Sequence, residues 1–175
     1  MYKENKNIDQ TQKGIFWEEI SAEVEAMTDR FGNRVDEGIK KAVITLRANG
    51  FPTYSSCEGH LDREAVLHPY VLVSTEEFEG WEDDENVANQ MRSENLENQR
   101  RMIRLLNEFY ENRKSPYDAH LTLETFGPTH GFSLFSIGAD VMKVLNPTER
   151  REKLRLYRQE IDDFVDFLKS KFFSD

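Results

Sequence analysis

The fold prediction starts from residues 51–60, Phe51-Pro52-Thr53-Tyr54-Ser55-Ser56-Cys57-Glu58-Gly59-His60. Residues 51–57 are predicted to form a strand, and the residues that follow form a polar turn. The stretch holds the only cysteine of the chain and one of its four histidines. Loops at the ends of regular elements commonly carry functional side chains, so this turn is the leading candidate for a site.

Four helices and three further strands are predicted around this stretch. Apolar residues recur at steps of three and four over residues 15–31, 35–46, 86–113 and 146–172, which indicates helices. Strands are predicted at 69–75, 118–126 and 131–138, and the last two are joined by a turn rich in glycine and proline, as in a hairpin. The order of these elements predicts an α+β fold, in which a mainly antiparallel sheet of about four strands is covered by helices.

Length and composition are those of one soluble domain. The chain has 175 residues, of which 38% are hydrophobic and 32% charged. We assign residues 1–12 to a flexible polar arm and residues 13–175 to a single α+β domain. A lone cysteine cannot form an intramolecular disulfide, and residues 1–12 lack the apolar core of a signal peptide, so a cytoplasmic location is expected.

The charge disfavours two classes of partner. The formal net charge is -10 at pH 7, which opposes broad contact with nucleic acid or with anionic membranes. No apolar run approaches the roughly 18 residues that a membrane-spanning helix requires. The partners that remain are a small-molecule ligand or further copies of the chain in a homo-oligomer.

The spacing of Cys57 and His60 allows both side chains to reach one metal ion, with Gly59 giving the turn its freedom. On the strand 118–126, alternation places His120 and Glu124 on one face. A third ligand such as His120 would complete a mixed zinc site with one open position. The metal ligands predicted are Cys57, His60 and His120; the sequence leaves the cofactor open, with zinc as the candidate.

The same turn also fits two other interpretations. A thiol mechanism needs Cys57 as the nucleophile with His60 close by to favour the thiolate, and residues 57–63 match the C-x5-R pattern of cysteine phosphatases in part. Alternatively, the turn is purely structural, with Cys57 buried. We assign catalytic roles to Cys57, Glu58 and His60, and ligand contacts to Ser55, Ser56, Gly59 and Arg63.

Residues 50–60 resemble a run that reads G-[FI]-x-T-x-x-S-C-x-G-H in small, mostly uncharacterised bacterial and phage proteins, where a PY-V strand follows. They are also distantly similar to the T-x-S-S-C-S-G-R motif of the wybutosine-synthesis methyltransferase family, with His60 standing where that family has arginine. The likeness falls within residues 35–73. It implies a tRNA-modifying enzyme that uses S-adenosylmethionine.

Three functions follow, in order of preference. The first is an enzyme or small-ligand-binding domain with its site at residues 55–60. The second is a non-catalytic oligomeric interaction module, in which the long helices at 86–113 and 146–172 form the interface. The third is the RNA modification that the distant resemblance implies. The sequence leaves open whether the chain is an enzyme.

Overall fold

The computed structural model describes residues 9–62, 67–75, 82–127 and 129–174. Within these ranges four α-helices accompany one four-stranded sheet, which confirms the α+β class. The elements in chain order are α1 (Gln10–Ala26), α2 (Glu37–Ala48), β1 (Thr53–Cys57), β2 (Tyr70–Val73), α3 (Glu85–Tyr110), β3 (Leu121–Thr125), β4 (Phe132–Ser136) and α4 (Pro147–Ser174). None of the helices described is long and apolar enough to cross a membrane.

The strands lie in the order β1-β2-β4-β3, and every neighbouring pair is antiparallel. The predicted hairpin is confirmed as β3 and β4, and β4 then pairs with β2. This order places β1 at one edge of the sheet and β3 at the other. Within β1 the register shifts between Thr53 and Ser55, as at a β-bulge.

One face of the sheet carries the core. Val71 lies opposite Leu134, and Leu134 lies opposite Leu123, so apolar side chains form a row across three strands. This row packs against buried side chains of the helices, namely Ile39, Ala42 and Leu46 of α2, Met102, Leu106 and Phe109 of α3, and Ile161, Phe164, Val165 and Leu168 of α4. The buried area dominates the stability of such a layer packing.

The first helix differs from its prediction at both ends. It begins at Gln10, inside the predicted arm, because Asp9 and Gln12 form a reciprocal capping box. It ends at Ala26 instead of continuing to residue 31, since Met27 is extended and the Asp29 carboxylate accepts the backbone N–H groups of the following turn. Phe31, predicted to face inward, is 74% exposed.

A buried ion pair joins the segment after α3 to α4. Glu160 is only 2% exposed, and its carboxylate accepts hydrogen bonds from Arg113 Nε at 3.2 Å and Arg113 Nη2 at 3.0 Å. The Ser115 hydroxyl donates a further bond at 3.0 Å, and Arg113 also pairs with Asp163. A buried carboxylate is tolerated only with such partners, so Glu160 depends on Arg113.

Replacing Arg113 by methionine is expected to lower the free energy of unfolding by about 3 kcal/mol, because it leaves the Glu160 charge buried without its cation. The control is Arg104→Met, which removes an exposed partner of Glu97 and is expected to cost less than about 1 kcal/mol. Urea denaturation of the two variants measures both values. Equal losses would contradict the role given to this pair.

Candidate functional site

Three polar side chains converge where β1 ends and α2 begins: Asp36, Cys57 and His60. Cys57 is the last residue of β1, His60 lies three residues further on, and Asp36 is the residue before the first turn of α2. One ligand atom from each side chain lies within 4.8 Å of the other two. The sequence predicted that Cys57 and His60 act together, whereas Asp36 was missed.

The Asp36 carboxylate is directed to the turn after β1. It makes no side-chain capping bond to its own helix. Its Oδ2 atom lies 3.3 Å from His60 Nε2 and accepts the backbone N–H of Glu58 at 3.3 Å. Cys57 is 7% exposed, and the backbone N–H of Gly59 donates to its Sγ atom at 3.4 Å.

Glu58, predicted to be catalytic, forms hydrogen bonds that hold the turn in place. One carboxylate oxygen accepts the backbone N–H of Gly38 in the first turn of α2 at 2.7 Å, and the other accepts Arg158 Nη2 at 3.2 Å. Arg158 also donates to the carbonyl oxygens of Glu58 at 2.9 Å and of Gly59 at 2.8 Å. Because both carboxylate oxygens are engaged, the geometry gives Glu58 a positioning role, and its catalytic role stays a prediction.

Gly59, predicted to contact a ligand, is required by the close packing of the turn. Its φ angle is +78°, which glycine adopts without strain. A Cβ atom at this position would lie 2.8 Å from the carbonyl carbon of His68 and 2.8 Å from Leu154 Cδ1. The turn therefore presses directly against the chain before β2 and against α4.

His120, the predicted third metal ligand, lies far from Cys57, so that assignment is wrong. Cys57 is in the edge strand β1, and three strand spacings, about 14 Å, separate it from Thr122 in the opposite edge strand. The His120 ring stacks on Tyr110 at a centroid distance of 4.4 Å, and its Nε2 atom lies 3.2 Å from the Ser115 carbonyl oxygen. The strand order, which the sequence does not reveal, excludes His120 from the site.

A cleft of about 210 Å³ lies between the segment 27–35 and β1. Ser55 and Ser56, predicted to contact a ligand, both line it. Val35 and Ser56 line it and directly precede Asp36 and Cys57 in sequence, whereas Asp36, Cys57 and His60 are not among its lining residues. Arg63, the remaining predicted ligand contact, lies outside the described residues.

The donor set is chemically suited to a transition metal. A thiolate, an imidazole and a carboxylate bind zinc at about 2.0–2.3 Å, which places tetrahedral ligand atoms about 3.5 Å from one another. The separations here reach at most 4.8 Å, so small side-chain movements would bring all three into contact with one ion. The same three residues also constitute a nucleophile, a base and an orienting carboxylate.

No family model, curated protein or solved structure matches the chain. The resemblance of residues 50–60 to the bacterial and phage motif, and the distant similarity to the wybutosine-synthesis methyltransferases, therefore stay predictions. The site is interpreted from its own geometry and chemistry.

Gly38→Ala tests whether Glu58 holds α2 in place. An added Cβ would lie 2.5 Å from Glu58 Oε2 and would displace the carboxylate from the Gly38 N–H. We expect the free energy of unfolding to fall by about 1–2 kcal/mol, because the loss of a charged hydrogen bond, about 1.5–3 kcal/mol, exceeds the gain of about 0.5–1 kcal/mol from alanine in a helix.

The matched control is Gly14→Ala in α1, where nothing lies within 4 Å of the added atom. Alanine is the better helix former, so this variant is expected to gain about 0.5–1 kcal/mol in urea denaturation. If both variants gained stability alike, the link between Glu58 and α2 would be disproved.

Proposed function

We propose that the protein binds a divalent transition metal, zinc in the first place, through Asp36, Cys57 and His60, and that this centre acts on a small-molecule ligand. The convergence of the three side chains at the end of β1 supports the proposal. Three protein ligands leave a fourth position for water or substrate, which is the arrangement of catalytic zinc sites. Zinc there would supply a Lewis acid and lower the pKa of a bound water to about 7.

The ligand types favour zinc over the hard cations. Magnesium and calcium prefer all-oxygen sites, whereas a thiolate and an imidazole suit zinc and related metals. Cys57 is buried, so its sulfur is shielded from bulk water and from random oxidants.

Hydrogen bonds from the backbone orient two of the proposed ligands. The N–H of Glu58 donates to Asp36 Oδ2, and the N–H of Gly59 donates to Cys57 Sγ. Both peptide groups belong to the turn that Arg158 fastens to α4. Outer contacts of this kind hold metal ligands in register and commonly change metal affinity 10–100-fold when removed.

A titration of the metal-free protein with Zn²⁺, followed by isothermal calorimetry, tests this function. We expect one ion per chain, with an affinity that falls as the pH is lowered because each ligand must lose its proton. Cys57→Ser and His60→Ala are expected to weaken binding at least tenfold, while His130→Ala, an exposed histidine of the β3–β4 turn, leaves it unchanged. Co²⁺ adds an independent readout, since a thiolate–cobalt absorption band should appear in the native protein and vanish in Cys57→Ser. Binding that is weak, or insensitive to Cys57 and His60, would refute the metal site.

The contact between Asp36 and His60 favours a second candidate, a thiol nucleophile. In that mechanism His60 takes the proton of Cys57, and the Asp36 carboxylate, 3.3 Å away, stabilises the imidazolium. The two functions differ in the role of the Cys57 sulfur, which is a metal ligand in the first and the nucleophile in the second.

Alkylation of Cys57 by iodoacetamide separates the two candidates. A metal site predicts that saturating Zn²⁺ slows alkylation at least tenfold, because the sulfur is coordinated. A thiol enzyme predicts rapid alkylation that Zn²⁺ leaves unchanged and that Asp36→Asn slows. The Asp62→Asn variant serves as the control, since this exposed carboxylate follows the turn but lies outside the cluster.

A further inference from the structure

The cleft beside the cluster has two chemically different walls. Apolar side chains come from Met27, Val35 and Val43, which belong to the end of α1, the connection to α2, and α2 itself. The other wall is formed by residues that carry hydroxyl groups, namely Thr28 and the consecutive β1 residues Thr53, Tyr54, Ser55 and Ser56, and the Ser55 hydroxyl shares a hydrogen bond with Tyr70. A ligand that fits both walls has an apolar body together with groups that form hydrogen bonds.

The charge of the cleft opposes anions. Among the described residues that line it, no lysine or arginine is present, and Asp29 is the one charged side chain. Hydrogen bonds from Asn33 hold the pKa of Asp29 below its usual value, so this carboxyl is ionised at neutral pH. Arg47 donates to Thr53 at the edge of the cleft, but its charge is paired with Glu23. Arg30, whose charge also acts on Asp29, is not among the lining residues. An anionic ligand would therefore meet a carboxylate and no cation in the described wall itself.

The size of the cleft limits the ligand. Its volume of about 210 Å³ lies below the roughly 300 Å³ at which sites for drug-sized molecules begin. A single ring or a short chain with one polar group is the largest molecule that the cleft would bury well.

We infer that this cleft binds a small uncharged molecule with an apolar body and an amide or hydroxyl group, and that it discriminates against anions of the same shape. The ligand class follows from the cleft alone. The role of the cleft as the substrate pocket rests on the proposed metal function, since two of its lining residues, Val35 and Ser56, are next to Asp36 and Cys57 in sequence. The hydroxyl-lined strand positions the polar group, and the opposite wall buries the apolar body.

Benzamide and benzoate are the probes, since they share one shape and differ in charge. The metal-free, ¹⁵N-labelled protein is titrated with each, and the backbone amide signals are followed by NMR. We expect benzamide to shift signals of residues 27–35 and 53–56 in a saturable manner, and benzoate to bind at least tenfold more weakly. Benzoate binding as tightly as benzamide, or benzamide shifts that lie elsewhere, would overturn the inference.

Two variants locate the effect. Thr28→Trp places an indole at the exposed rim of the cleft and is expected to weaken benzamide binding at least tenfold. Thr148→Trp makes the same exchange at an exposed position in the first turn of α4 and should leave binding intact. Unchanged affinity in Thr28→Trp would count against the cleft. If the native protein binds benzamide but fails to bind Zn²⁺, the metal site is refuted and the pocket is still supported.

Discussion

The site depends on one interaction, the hydrogen-bonded pair of Arg158 and Glu58. The guanidinium of Arg158 fastens the turn after β1 to α4, and the Glu58 carboxylate joins the same turn to the start of α2 at Gly38. Three elements that are distant in sequence thereby meet at one point. Charged hydrogen bonds with several partners fix orientation more firmly than a single contact does. This arrangement sets the distances between Asp36, Cys57 and His60.

The sequence was sufficient for the elements and for part of the site. Periodicity located the four helices of the described residues, and turn glycines located the hairpin of β3 and β4. Helices α2, α3 and α4 each bury an apolar stripe, whereas Val24 is the one apolar side chain that α1 buries fully. The density of reactive side chains in residues 55–60 identified Cys57 and His60, since a strand end and a short turn keep near neighbours together. Local patterns predict local geometry, and these two ligands are separated by only two residues.

The third ligand could not be predicted in the same way. Asp36 lies 21 positions before Cys57, and only the packing of α2 against β1 brings it to the turn. Its position before an apolar helical stripe is typical of a capping residue, which hides its second role. The assignment of His120 as a ligand was wrong for the opposite reason, because its strand was expected near Cys57 and lies far from it. Its strand shows suitable alternation, but the order β1-β2-β4-β3 places it across the sheet. Both errors concern which elements become neighbours, and one chain without pairing information does not specify that.

The charges of the cluster connect its two candidate chemistries. A thiolate of Cys57 and the carboxylate of Asp36 would place two negative charges within 4.8 Å of each other in a largely buried setting. Such a pair requires a cation close by. A zinc ion, with two positive charges, would offset both the thiolate and the carboxylate. A protonated His60, with one positive charge, would offset one of them and attract the other. Metal binding and thiol reactivity are therefore competing states of the same three residues. The apolar and hydroxyl-lined cleft beside them carries no lysine or arginine among its described residues that could take the place of either cation.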